Sequence, residues 1–475
     1  MDSQPRNSPP RDLPPSGALG QAPVAATLLL AAADRRGEWW KRRSALIAAA
    51  VFFIAMAWPF LRRGENSEFV VCYLRAAHRM LAGQIIHRDE PTAYAYPPAM
   101  AMLTAPLAQL PAKTALVVWY LVNVVAMSFV VAGAWRLLGG PPLTRLHGRW
   151  VAVFWLGVLL AFRFASAPLE NQQFDVVIAA LLVAGCLCLR RGRDLAGAVW
   201  LGAAAAMKCT PLLFAPYLAW RGRPRAACVL ALGAIVLNRL PDFFWPQAGG
   251  QSYLGDWCGT FLAKVGRSAP GVWDSDLVLN QSLSGLVNRF AQSGLPGSAD
   301  PLPSGLAALS PETVAWIRWW TYGTGLILLA VTAWRFGRPG QPWMAAGVDS
   351  QDDRDAGPSP LGLEAAALAC LMLLLSPMSS KAHYVVLVLP CIAFAVAYVE
   401  RRDAWLRVLL PVLLLTGPLT SKGLTGKALG DLTLAWGFPT WFALALLLAV
   451  WRLLPAKQAE TTAAGPLAGR VGKAA

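Results

Sequence analysis

Residues Thr114–Leu138 read TALVVWYLVNVVAMSFVVAGAWRLL, and their only charge is Arg136, at the far end. At 1.5 Å per helical residue such a run crosses a hydrocarbon core of about 30 Å. Arg136, Arg145 and Arg149 follow with no acid among them, the mark of a loop on the cytoplasmic side. Working outward, further apolar runs occur at Ser44–Phe60, Val151–Pro168, Phe174–Leu189, Leu195–Trp220, Ala226–Trp245 and Thr313–Trp334, then at Leu361–Leu375, Tyr384–Val399, Ala404–Leu419 and Trp441–Leu454. The 475 residues are 56% hydrophobic and only 14% charged. The sequence therefore predicts an all-α polytopic membrane protein, because backbone groups in hydrocarbon must be satisfied within the segment. No alternating ten-residue pattern suggests a barrel.

The net charge of +16 does not point to nucleic acid. The Arg and Lys residues sit in short clusters beside the apolar runs, where they orient helices and meet anionic headgroups. Arg35, Arg36, Lys41, Arg42 and Arg43 place the N-terminus inside. Residues 61–113 then form an external loop, within which the short, Pro-bracketed Ala99–Leu110 reads as a helix lying along the outer surface. If that segment crossed, the arginines at 136–149 and at 190–193 would fall outside.

Leu195–Trp220 is flanked on both sides by cytoplasmic-type clusters, Arg190/Arg191/Arg193 and Arg221/Arg223/Arg225. A single crossing cannot satisfy both. A hairpin of two short helices breaking near Met207-Lys208-Cys209-Thr210-Pro211 does. Counting that hairpin as two helices gives about 12 transmembrane helices, with both termini cytoplasmic. The expected organisation is a disordered tail over 1–43, one membrane domain over 44–454 with external loops at 61–113 and 246–311 and a cytoplasmic linker at 339–360, and a second tail over 455–475.

The cysteines mostly lie in apolar runs and read as small core residues. Cys72 and Cys258 both fall in external segments, and sequence leaves open whether they pair. Asp353-Arg354-Asp355 imitates a metal-binding acidic motif but stands in a Gly/Ser/Pro-rich linker, so no metal is expected there.

The polar residues collect on the external side. Glu68, at the mouth of the first helix, heads the amphipathic segment that ends at Gly83. With it come Tyr96, Arg163, Asn171, Gln172, Asp175, Asn280, Gln281, Arg289, Lys381 and His383, and Lys208 reaches the same level from the hairpin. Ionisable groups at membrane depth usually face a cavity or pathway. Such a pocket has the parts to move a sugar from a lipid phosphate. A carboxylate takes the proton of the attacking hydroxyl, cations stabilise the departing phosphate, and attack from the opposite face inverts the anomeric carbon. A phosphate whose second pKa is about 6 needs no strong acid to leave.

Glu68-Phe69-x-x-x-Tyr73-x-x-Ala76 through Gly83 resembles the first-loop pattern of glycosyltransferase family 87, within the GT-C superfamily. Tyr94–Pro98, Asn171–Asp175, Lys208–Pro211, Asn280–Leu283 and Ser376–Tyr384 are similar to further elements of that family, in the same order. The chain departs from the pattern at three places. It has Glu68 where the family has Asp; its last element has Ser380 in place of Trp and only His383 of a His pair; and Gly-Gln-x-Asn has become Asn171-Gln172-Gln173-Phe174-Asp175.

The resemblance implies an inverting hexosyltransferase, with mannose as the expected sugar, a polyprenyl-phosphate donor and a lipid-linked or cell-envelope glycan acceptor. Glu68 is the expected general base and Asp89 the reserve. Lys208, His383, Lys381, Arg163, Arg289 and Tyr96 are expected at the donor phosphate or sugar. Asn171, Gln172, Asp175, Asn280 and Gln281 are expected to line the pocket. Neither a metal nor another cofactor is expected, and the partners are membrane lipids, donor and acceptor in the cell membrane. A transporter or flippase is the rival reading, since broken helices also mark transport sites; a non-catalytic scaffold is the third.

Overall fold

The computed structural model describes residues 43–87, 94–263, 278–292, 310–340 and 358–454, apart from 45, 147 and 402. Among these residues every regular element is helical. The helices are α1 Leu46–Arg62, α2 Arg75–Leu81, α3 Pro98–Ala108, α4 Ala112–Leu137, α5 Arg149–Asn171 and α6 Asp175–Arg190. The broken hairpin follows as α7 Asp194–Met207 and α8 Phe214–Trp220, then α9 Pro224–Phe244, α10 Tyr253–Trp257 and α11 Leu283–Gln292. The rest are α12 Pro311–Phe336, α13 Pro360–Leu374, α14 Val388–Arg401, α15 Ala404–Thr416, α16 Lys422–Ala435 and α17 Phe438–Leu453.

The expectation of about twelve crossings is not met by helix length. Four of the described helices are long and apolar enough to span: α4, α5, α9 and the continuous Lys381–Arg401, whose first turns are 3-10 and whose remainder is α14. A fifth is reached if α15 and α16, bent by 97°, count as one broken span. Segments such as α13 and α17 are apolar but shorter. The two tails, most of the linker at 339–360 and Asp353–Asp355 lie outside the described residues.

One end of the bundle is basic, as the charge pattern predicts. Arg190 donates to the carbonyl of Arg136 at the end of α4, and Ser359 Oγ donates to that of Leu137 at 2.5 Å. Arg149 pairs with Glu400 at 3.5 Å, and Arg452 with Asp403 at 3.3 Å. Arg221 is buried with Glu364, which also accepts from Tyr217 at 2.6 Å.

The same end explains the hairpin. Asp194 at the start of α7 is ion-paired with Arg223, just before α9, so the chain enters and leaves the α7–α8 pair on one side. Between them Lys208 is extended, with φ −156° and ψ 127°. Pro211 follows in a 3-10 turn, where its missing N–H interrupts the helical ladder.

Small residues let these helices approach. A Cβ on Gly197 would stand 3.0 Å from the Gly185 carbonyl, and the reciprocal distance is 3.1 Å. Helices in lipid associate through such close packing. Asn238, buried on α9, joins three elements: its Oδ1 accepts from Ala99 N at 2.9 Å, and its Nδ2 donates to the carbonyls of Ala206 and Ala234. The segment expected along the outer surface does form a helix, α3, but it buries Ala99, Met100, Ala101, Thr104, Ala105 and Ala108. It packs on α2 and α9 rather than lying apart from the bundle, because its small side chains leave room for the neighbouring backbones.

Candidate functional site

The opposite end of the bundle carries Glu68, Glu170 and Asp175. Ser67 is fully buried and accepts from Val70 N at 3.2 Å, and Glu68, half-buried, immediately precedes a π-helical turn over Phe69–Leu74 that runs into α2. That segment ends at Gly83, where φ is +65° and a Cβ would meet the Pro246 carbonyl at 2.9 Å. Gly83 also accepts from Ala248 N at 3.0 Å. Glycine is required there by both its backbone conformation and that close approach. The wall behind Glu68 is aromatic: Phe69 stacks on Trp119 at 5.2 Å, Trp119 meets Phe174 at 4.2 Å, and Tyr73 contacts Phe174 and Tyr96.

The turn between α5 and α6 supplies the facing side. Pro168 near the end of α5 and a left-handed Gln172, φ +59°, stop the helix. Gln172 turns away from the acids: its amide donates to the Phe60 carbonyl, and its own carbonyl accepts from Trp119 Nε1 at 3.1 Å. Reversal at Gln172 swings the next residue inward. Gln173 Nε2 then donates to both oxygens of Glu68, at 3.0 and 2.9 Å. Asn171 accepts from Arg63 Nη1 at 3.2 Å, closing the rim.

Asp175 follows as the first residue of α6 and is buried. Its Oδ1 accepts from Lys208 Nζ at 2.9 Å, which fixes the hairpin break beside the turn. Its Oδ2 lies 3.9 Å from His383 Nε2. His383 Nδ1 accepts from the backbone N–H of Ser380 at 3.1 Å, so the ring proton sits on Nε2 and points at Asp175. Glu68, Gln173, Asp175, Lys208 and His383 thus come together from four separate stretches of chain.

Burial holds the Glu68 carboxyl above its ordinary value of 4.5, with Asp175 pushing the same way, while Gln173, Arg63 and Lys208 pull it back. Tyr96, next to both acids, has its phenol pushed well above 10 by burial. His87 is held down to about 4 by burial and, neutral, donates from Nε2 to the Tyr96 carbonyl at 3.2 Å. That contact and the Tyr94 hydroxyl on Pro97 shape the Tyr94–Pro98 turn.

Other expected site residues lie apart from this centre. Arg163 donates to Ser166 and to both oxygens of Glu170, each at 3.2 Å. Lys381 faces the charges of Arg163, Lys422, Glu170 and Asp431 instead of Asp175. Arg289 is fully buried and donates to the carbonyls of Ala435 and Asn280. Asn280 and Gln281 buttress the loop that carries His383. The Asn280 amide accepts from Ser379 N and donates to the Pro377 carbonyl, while Gln281 N donates to the Ser379 carbonyl at 2.6 Å. Asp89 lies outside the described residues. Cys72 and Cys258 are both free thiols. Among the described residues no group of three His, Cys, Asp or Glu side chains could hold a metal ion.

Sequence reasoning singled out Gln172 and left Gln173 out of the site. Nothing in two adjacent glutamines says which one faces inward, since that depends on the single left-handed residue.

A comparison with known families now fixes the class. The family model of glycosyltransferase family 87 matches residues 94–350, more than half of the chain. The protein belongs to that family and is a glycosyltransferase with helices of membrane-spanning character. The match takes in Tyr96, Asn171–Asp175, Lys208 and Asn280–Gln281; Glu68, Lys381 and His383 stand outside it. No curated protein and no solved structure matches the chain.

Proposed function

We propose that this glycosyltransferase is an inverting hexosyltransferase that moves mannose from a polyprenyl phosphate to a lipid-linked or cell-envelope glycan on the outer face of the cell membrane. Glu68 is its general base. The observation that carries this reading is the half-buried Glu68 carboxylate, held by Gln173 and set in one polar cluster with the Asp175–Lys208–His383 group. The opposite end of the bundle holds the basic loops, which by the charge rule face the cytoplasm. A cluster at the other end is then reached by lipid-borne sugars and not by cytoplasmic nucleotides.

In the reaction the acceptor oxygen bonds to the anomeric carbon as the carbon–oxygen bond to phosphate breaks. The hydroxyl proton passes to Glu68, and polyprenyl phosphate leaves with the electron pair. A carboxylate kept above the usual range by burial is a better proton acceptor than a solvated one. Lys208 and His383 supply positive potential beside the leaving phosphate in a site of low dielectric. Lys381 and Arg163, farther along the same end, serve the phosphate or the lipid headgroups around it.

The test uses purified protein in liposomes, radiolabelled polyprenyl-phosphate mannose and a lipid-glycan acceptor mixture, with Asp89→Asn as a parallel variant. Labelled product with the inverted anomeric configuration, retained in Asp89→Asn, supports the reading. A retained configuration, or transfer only from nucleotide sugars, contradicts it.

A further inference from the structure

The Gln173 side chain meets Glu68 through Nε2 alone, while its Oε1 is buried and accepts no hydrogen bond. Buried polar atoms are nearly always satisfied, so an orphaned acceptor beside a reacting carboxylate calls for an account. The amide is held there by the left-handed Gln172, whose own side chain is tied to Phe60.

We infer that Gln173 is the positioning residue of Glu68 and serves it in both protonation states. Its N–H groups face the carboxylate before proton transfer, and after a half-turn of the amide its Oε1 accepts from the Glu68 hydroxyl. The inference rests on Glu68 being the base. When the acceptor hydroxyl gives up its proton, one Glu68 oxygen changes from acceptor to donor. An amide that kept its N–H groups toward that oxygen would set donor against donor. Rotation about the last side-chain bond restores a hydrogen bond and satisfies Oε1, with no covalent change at Gln173.

The other groups acting on Glu68 are Asp175 at the start of α6, Lys208 at the hairpin break and Arg63 after α1. Cys72 and Tyr73 on its own segment, and Tyr96 from the facing turn, also sense its charge. Of these, Asp175 opposes ionisation of Glu68 and the two cations favour it.

The experiment measures kcat and kcat/KM against pH for the full chain in liposomes, with Gln173→Met and Gln173→Glu beside the wild type. Methionine keeps the length and removes the donor. The acid limb of the Gln173→Met profile should move up by about one pH unit, since a hydrogen bond to an ionised group favours that form by this order. KM for the donor should hold within about twofold while kcat falls about tenfold, as expected of lost alignment. Gln173→Glu should move the limb further, because two adjacent carboxylates share one proton. Difference infrared spectra against Glu68→Gln should show the Glu68 carboxyl band titrating at the same shifted pH.

A Gln173→Met profile that loses activity equally at every pH, with the midpoint and carboxyl band unmoved, overturns the inference. If Glu68→Gln is itself active, the base assignment fails first. If Glu68→Gln is silent and the Gln173→Met midpoint is unmoved, only the role given to Gln173 fails.

Discussion

Lys208 Nζ lies 2.9 Å from Asp175 Oδ1, so the break in the α7–α8 hairpin is tied directly to the first turn of α6. The side chains are 15% and 5% exposed, too dry for either charge to stand alone. Asp175 is also at a helix N-terminus, where a negative charge is favoured.

Removing one partner of this pair should therefore be costly. Lys208→Met should lower stability by about 3–5 kcal/mol, because it leaves a buried carboxylate uncompensated. Lys208→Met with Asp175→Asn should recover most of that loss. Chemical or thermal unfolding in detergent of both proteins and of Asp175→Asn alone measures the coupling, and a double-variant loss equal to the sum of the two single losses would show that the pair is not coupled.

The raised Glu68 carboxyl gives a signed pH dependence. Its favourable contribution is fully present below the ordinary value of 4.5 and is lost as pH rises through its higher folded value. At pH 7 the ionised group is buried at a cost, so Glu68→Gln should match or exceed the wild type in stability, with the difference disappearing near pH 4. Melting temperatures at the two pH values check this. A variant less stable only at pH 7 would reverse the sign.

Gln172 is the only described non-glycine residue with positive φ. Gln172→Gly relieves the backbone and gives up the contact to Phe60 together with the packing of a fully buried side chain. Gln172→Val adds a β-branched side chain in the left-handed region and should be about 1–2 kcal/mol less stable than Gln172→Gly. Comparing their unfolding midpoints decides the matter, and equal midpoints would argue against the turn as described.

The Asp194–Arg223 pair places both ends of the hairpin together. Single cysteines introduced at Arg191 and Arg223 should react with a membrane-impermeant thiol reagent from the same side of sealed vesicles, and one at Asn171 from the other side. Labelling of the first two from opposite sides would mean that α7 and α8 form a single crossing.

Much of the fold was legible before the structure. Thr114–Leu138 was expected as a span and α4 runs Ala112–Leu137; the two arginine clusters around Leu195–Trp220 predicted a break where Lys208 is extended. The crossing count was not legible, because apolar composition does not separate a spanning helix from a short buried one such as α13. In the site, residue type and depth single out Lys208, Asp175, His383, Tyr96 and Glu68, and the fold brings them together. Arg163 and Glu170 stand seven apart, two turns along one helix, so their pairing could have been read from spacing. The partners of Arg289 could not: Ala435 is far away in sequence, and only the folded chain shows that its guanidinium serves backbone carbonyls.

Single-turnover transfer from polyprenyl-phosphate mannose by Glu68→Gln tests the central claim most directly. The protein should fold and bind donor as the wild type does, yet transfer at least about a thousandfold more slowly, the order expected when a general base is removed. Transfer by Glu68→Gln within tenfold of the wild type would contradict the assignment of Glu68 as the base.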